Sequence, residues 1–325
     1  MYVIPKRFKN LLKLSDGATS IVYSGTDSED NDKRKVIKIN KNSSKFDFDN
    51  EIIILKIVLE LKSDYFIQYV GKIICSKSNT IPDIVTNYSN LLVGNLLSSQ
   101  KKLSRPYPIS NITPSNNSEK VVPLGIITNY IPETVSLYDM ILTLQNFPFI
   151  AHKILKQLLS ALNLLHSNNI IHRDIKLENI LFCKVTGKIT LIDFGSASIY
   201  SEDPDKCINL DNSVPGTICN FSPEIVYACR ENHSILYLSD IWAVGSVFYT
   251  ILTEQFIVDD RRYYKLSQIV DFFHSVTGEF QTTIKQNINK IGNISKYQNF
   301  SKIILACLTF EYINRPHAGQ LLEMM

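Results

Sequence analysis

The run Ile170-Ile171-His172-Arg173-Asp174-Ile175-Lys176-Leu177-Glu178-Asn179-Ile180-Leu181 is followed, a few residues on, by Ile189-Thr190-Leu191-Ile192 and then Asp193-Phe194-Gly195. Both stretches set polar residues among isoleucines and leucines, types that call for burial. A chain that buries both flanks must carry Asp174, Asn179 and Asp193 at the margin of its core. Their side chains offer oxygen donors, which suit a hard cation such as Mg²⁺. Asp and Asn also favour turns for local reasons, and Asp193-Phe194-Gly195 alone is a weak signal. The two stretches in this order constrain the chain far more than either does singly.

Together they resemble the catalytic loop and metal-binding motif of eukaryotic protein kinases. The resemblance implies an α+β, bilobal fold. A small antiparallel β-sheet lobe with one key helix would take residues 1–131, and a larger, mainly helical lobe residues 132–325. It implies ATP and Mg²⁺, with Asp174 as the carboxylate that orients and deprotonates the attacking hydroxyl and Asn179 with Asp193 as metal ligands. Lys176, two residues after Asp174, matches the serine/threonine-specific branch, where it balances charge on the transferring phosphoryl group.

At 325 residues the chain is long for one core and suits two packed lobes. A net charge of +3 is too small to argue for nucleic acid or an anionic membrane. Cys75, Cys183, Cys207, Cys219, Cys229 and Cys307 are scattered without metal-ligand spacing, as free thiols in a reducing compartment would be. Met1-Tyr2-Val3-Ile4-Pro5-Lys6 has no signal-peptide pattern. The most apolar run, 241–253, is too short to span a membrane. These features predict an intracellular protein of the cytoplasm or nucleus.

Along the chain, 8–36 reads as an antiparallel hairpin. Its turn, Leu14-Ser15-Asp16-Gly17-Ala18-Thr19-Ser20-Ile21-Val22, resembles the kinase glycine-rich loop, with serines where the outer glycines would stand. A loop that cradles phosphates with N–H groups needs close backbone approach and sometimes positive φ, which glycine allows. Lys35-Val36-Ile37-Lys38-Ile39 alternates as a strand does, and Lys38 aligns with the family's phosphate-gripping lysine. A helix is expected over 47–62, with Glu51 near its start where an acid suits the macrodipole. The resemblance makes Glu51 the partner of Lys38.

Residues 76–120 are rich in Ser, Asn, Pro and Thr and read as an inserted loop. Strand character resumes at 121–128, and by resemblance Thr128 guards the back of the base pocket. Asn129-Tyr130-Ile131 then resembles the hinge whose backbone pairs with adenine. Helices are expected over 136–144 and 151–166, the second from Ile154, Leu155, Leu158, Leu159, Leu162 and Leu165 at i, i+3, i+4 spacing. The polar stretch after Gly195 resembles an activation segment closed by Gly216-Thr217 followed by Ser222-Pro223-Glu224, with Asn220 where the family often has tyrosine. Asp240 reads as an N-cap acid before an apolar helix and, by resemblance, anchors the catalytic-loop backbone. Arg315 resembles the arginine that pairs with Glu224. The Ser222-Pro223-Glu224 closure and the Ser239-Asp240-Ile241-Trp242-Ala243 run also resemble phosphoinositide-dependent kinases.

The resemblance runs from about Leu14 to Leu322. It implies protein substrates carrying Ser or Thr, and an activating kinase or regulatory partner that modifies the activation segment, with Ser213 as one candidate and Arg173 as its dock. Glu178 is a candidate reader of a basic substrate residue, although Val135 stands where a basic-directed kinase often has a second acid. Two other readings stay open. The missing glycines motivate a nucleotide-binding pseudokinase scaffold, and the fold also suits a small-molecule phosphotransferase.

Overall fold

The computed structural model describes residues 4–17, 20–41, 48–75, 83–85, 122–143, 147–199, 217–227, 236–258, 266–276, 279–291 and 298–325. Ala18, Thr19, Ser213 and most of the 76–120 stretch fall outside them. The chain divides into two compact units, Met1–Pro132 and Glu133–Met325.

The first unit is a six-stranded antiparallel sheet in the order β1-β2-β3-β6-β4-β5. Its strands are β1 (Phe8–Asp16), β2 (Ser20–Asp27), β3 (Lys33–Asn40), β4 (Tyr69–Cys75), β5 (Asp83–Val85) and β6 (Val122–Asn129). Alternation sets one face of β3 toward the core, where Ile37 and Ile39 pack with Phe8, Ile73 and Ile127. Helix α1 (Asp49–Glu60) has Asp49 and Glu51 in its first turn, which favours its start electrostatically. It buries Ile52, Ile54, Leu55, Ile57 and Val58. Each such side chain contributes roughly 1.5–3 kcal/mol on leaving water. Strands β4 and β6 pair directly, Cys75 opposite Val122, so the inserted residues leave and re-enter the sheet at neighbouring points.

The second unit is mainly helical. Its small sheet runs β10-β9-β7, built from β7 (Thr134–Ser136), β9 (Ile180–Cys183) and β10 (Ile189–Leu191). A two-residue ladder joins β8 (Ile170–Ile171) to β11 (Ser198–Ile199). Helix α2 (Leu137–Thr143) is capped by Ser136, whose hydroxyl accepts the Asp139 N–H at 3.0 Å. Helix α3 (Phe147–His166) begins four residues before the expected Ala151. Pro148 lies in its first turn, where the missing N–H has no intrahelical partner in any case.

Helix α4 (Pro223–Tyr227) precedes α5 (Leu236–Thr253), the centre of this unit, where every residue from Ile241 to Thr250 is buried. A helix apolar all round belongs in a core. Gly245 lets α8 (Gln298–Cys307) approach: a Cβ there would lie 2.7 Å from the Leu308 side chain just beyond that helix. Trp242 stacks on Phe280 at 5.4 Å between ring centres and meets Phe273 edge-on at 6.0 Å. Those rings come from α7 (Phe280–Ile291) and α6 (Leu266–Val276); α9 (Ala318–Glu323) ends the unit. Burial raises the Cys307 thiol to about 12, so this cysteine stays protonated and inert. Among the described residues, no helix is long and apolar enough to cross a membrane.

Candidate active site

In the first unit, Lys38 pairs with Ile126 of β6 and Val22 of β2, which places it mid-sheet. Its Nζ donates to both Glu51 oxygens of α1, at 2.8 and 2.9 Å. Glu51 is buried, and a buried carboxylate requires such a partner. The turn between β1 and β2 closes with Gly17 N–H donating to Ser20 O at 2.9 Å. Gly17 does not take a left-handed φ, and a Cβ there would stand 3.5 Å from Ser20 O, an ordinary contact. Positive φ therefore gives no reason for this glycine. The Asp16 carboxylate instead bridges Lys13 and Lys41, which pull it down to about 2, Lys13 foremost. Leu14, Ser15, Asp16 and Gly17 line the exposed side of the turn, while Ser20, Ile21 and Val22 are half-buried in β2.

Half-buried Thr128 lies opposite Val36 on one side and Tyr69 on the other. Asn129 N–H donates to Gln68 O at 2.9 Å, which fixes the strand just before Tyr130 and Ile131.

In the second unit, the loop from β8 to the 3₁₀ turn Leu177–Asn179 is held from below by Asp240. That carboxylate accepts His172 N–H at 2.9 Å and Arg173 N–H at 2.8 Å, and His166 Nε2 lies 3.0 Å from it. The anchoring predicted from the sequence is thus present, but the capping reading needs correction. Asp240 is the fifth residue of α5, because Leu236-Tyr237-Leu238-Ser239 already belong to the helix. Arg173 and Asp193 both take positive φ, 65° and 61°. For non-glycine residues this costs on the order of 1–3 kcal/mol and is characteristic of functional loops.

The Asp174 carboxylate is enclosed by donors. Oδ2 accepts from Lys176 Nζ at 2.7 Å and from Asn179 Nδ2 at 3.0 Å, and Oδ1 accepts the Thr217 hydroxyl at 2.9 Å. Asn179 Nδ2 also donates to Asp174 O at 2.8 Å, which leaves the amide oxygen as its donor atom for a hard cation. Ile192 N–H donates to Asn179 O at 3.0 Å, so Asp193 follows directly on a backbone tie to Asn179. His172 Nδ1 accepts Asp174 N–H at 3.3 Å, which leaves Nε2 as the donor to Ile192 O at 3.2 Å. Buried Phe194 packs on that ring at 5.0 Å. A cavity of about 40 Å³, room for a few waters, adjoins Asp174 and is lined by Arg173, Ile175, Thr217 and Asn220 among others.

Asn220 Nδ2 donates to Ile175 O at 3.1 Å, and Ser246 Oγ to Asn220 Oδ1 at 2.8 Å. Arg315 grips Glu224 through Nη1–Oε1 at 2.5 Å and Nη2–Oε2 at 3.1 Å, with its guanidinium 5.0 Å from the Trp242 ring centre. Thr217, read from the sequence only as part of the close of the activation segment, meets Asp174 through its hydroxyl. Its only signal is a hydroxyl next to Gly216, five residues ahead of Ser222.

Residues 8–325 match the family model described as a protein kinase domain. The chain belongs to the protein kinase family. Similar relatives include calcium-dependent protein kinase 5 of Plasmodium falciparum (isolate 3D7), 40% identical over 36% of this chain and 19% of the relative. Cyclin-dependent kinase E-1 of Arabidopsis thaliana is 43% identical over 31% of this chain and 21% of its own length. A probable serine/threonine-protein kinase KIN1 homolog of Enterocytozoon bieneusi (strain H348) is 30% identical over 46% of this chain and 23% of the relative. The chain thus spans about a fifth of the length of these relatives. Family membership rests on the match across both units of this kinase domain.

Proposed function

We propose that this chain is a serine/threonine protein kinase that transfers the γ-phosphoryl group of ATP to Ser or Thr hydroxyls of protein substrates. The observation that carries the reading is the Asp174 carboxylate, fixed at once by Lys176, Asn179 and Thr217. Asp174 accepts the proton of the substrate hydroxyl as its oxygen bonds to the γ-phosphorus. The bond from that phosphorus to the β–γ bridging oxygen breaks, and ADP leaves. The Lys176 ammonium, 2.7 Å from Asp174, spreads the charge that develops on the phosphoryl oxygens.

Asn179 and Asp193 would hold Mg²⁺, and their oxygen donors fit that ion. When bound, the metal neutralises the crowded phosphates. Lys38, oriented by Glu51, grips the α- and β-phosphates. The 14–22 turn covers them, and adenine lies against Thr128, Asn129 and Ile131. Exposed Glu178 is available to a basic residue of the substrate. Arg173 is the dock for an activation segment phosphorylated by a partner kinase.

Purified protein incubated with labelled ATP, Mg²⁺ and a mixed protein substrate, beside Asp174→Ala, tests this reading. Label should appear on Ser and Thr with wild type and fall by about 10²–10⁴-fold in the variant, the usual contribution of a positioned base. ATP binding without transfer would identify a scaffold instead. Label only on small alcohols or amines would identify a small-molecule phosphotransferase.

A further inference from the structure

Strand β3 buries Lys35, Ile37 and Ile39 in alternation, with Asn40 also buried at its end. A lysine therefore occupies a position that the strand period assigns to an apolar side chain. An ammonium removed from water is costly unless it is paired. Lys35, with its side chain 5% exposed, is paired twice. Its Nζ lies 2.7 Å from Asp30 Oδ2, in the β2–β3 turn, and donates to Asn129 Oδ1 at 3.0 Å. Asn129 is its partner across the β3–β6 ladder. The other Asp30 oxygen lies 3.2 Å from Lys33 Nζ, and both lysines hold the Asp30 carboxyl below its ordinary range, Lys35 foremost. One residue earlier on β3, the Arg34 guanidinium lies 5.2 Å from the centre of the Tyr130 ring. Two consecutive residues of β3 thus hold the two consecutive residues that end β6 and follow it.

Nothing in the catalytic scheme uses this arrangement, yet it acts on the segment assigned to the nucleotide base. We propose that Lys35, braced by Asp30, is a positioning residue that fixes Asn129, beside the Arg34–Tyr130 contact, so that the 129–131 backbone presents a preformed edge to adenine. The inference rests on the assignment of 129–131 to adenine made above. Ordering that edge before the nucleotide arrives removes an entropic cost from binding, so the clamp tightens ATP binding without entering the chemical step. It also sharpens the discrimination between bases, because a rigid edge cannot shift its donors and acceptors to suit guanine.

The test uses the full chain with Lys35→Met, Asn129→Ala and the double variant. Lys35→Met keeps the length and apolar stem of the side chain. It returns Asp30, already 36% exposed, to water and to Lys33. Asn129→Ala removes the other end from an exposed position and keeps the backbone, so the question stays answerable should Lys35→Met fold poorly. We expect KM for ATP to rise about three- to tenfold in Lys35→Met, the scale of one ordinary net hydrogen bond. Its kcat should stay within about twofold, because the clamp does not touch the reacting groups. The ratio of ATP to GTP affinity should fall in both single variants, and the double variant should be no worse than the poorer single.

A merely structural role would lower thermal stability and leave the nucleotide ratio where it was, which overturns the proposal. Additive losses in the double variant overturn it as well. Hydrogen exchange at residues 130 and 131 without nucleotide separates this inference from its parent. Faster exchange in Lys35→Met supports the clamp, and unchanged exchange overturns it, whereas wild-type protein that binds no ATP defeats the kinase reading itself.

Discussion

Removing one member of the Glu224–Arg315 pair leaves the other charged group almost out of reach of water, because their side chains are 4% and 0% exposed. Arg315 also donates to the backbone oxygens of Leu238, Thr309 and Phe310, so its loss strands three backbone acceptors and the ring face of Trp242. Glu224→Ala and Arg315→Ala should each lose about 3–5 kcal/mol in denaturant titration, as orphaned buried charges do. Near-wild-type midpoints for both would remove the pair from any structural role. This pair was legible in the sequence because a Pro-Glu step and an Arg-Pro step stood at familiar places. Lys35 was not legible, since a lysine on a strand is usually solvated and only the fold reveals which face it is on. The contact of Thr217 with Asp174 was not legible for a similar reason. A hydroxyl carries no charge pattern, and its bond to Asp174 joins residues 43 positions apart.

At the scale of elements, the sequence showed where strands and helices lie better than where they begin. Proline disguised the first turn of α3, and Asp240 passed for the start of α5 because Leu236-Tyr237-Leu238-Ser239 lacked a distinct period. The kinks of β1 were not visible at all: its ladder with β2 shifts register between Lys9 and Leu12 and again between Lys13 and Ser15, with Asn10 at φ 53°. The insertion expected from composition lies mostly outside the described residues, and the β4–β6 ladder gives it a thermodynamic consequence. Residues 76–121 join strands already paired at Cys75 and Val122, so the segment closes a loop and β5 is its only described addition to the sheet. Replacing 76–121 by a four-residue turn should raise stability, by about 2 kcal/mol from loop closure alone, less whatever β5 contributes. Thermal unfolding of the shortened chain measures it. A marked loss of stability would mean that the insertion packs as a structural element and does not merely connect two strands.

For the molecule as a whole, the groups assigned to the reaction divide between the two compact units. Lys38 and Glu51 lie in Met1–Pro132, and Asp174, Lys176, Asn179 and Asp193 in Glu133–Met325. Each unit has a core of its own, so folding alone does not require these groups to work together; the chemistry does. If ATP is held by Lys38 while Asp174 takes the proton, either loss disables the same step. The second loss then has little left to remove. Lys38→Met and Asp174→Asn should each lower phosphotransfer by at least about 10²-fold, and the double variant should be no slower than the slower single, as for residues that act as one unit. Trp242 is the sole tryptophan and lies fully buried in the larger unit, so its emission reports whether that unit stays folded in all three variants. Losses that multiply in the double variant, with Trp242 emission unchanged, would show that the two units act on separate events. The proposed convergence on one nucleotide would then be wrong.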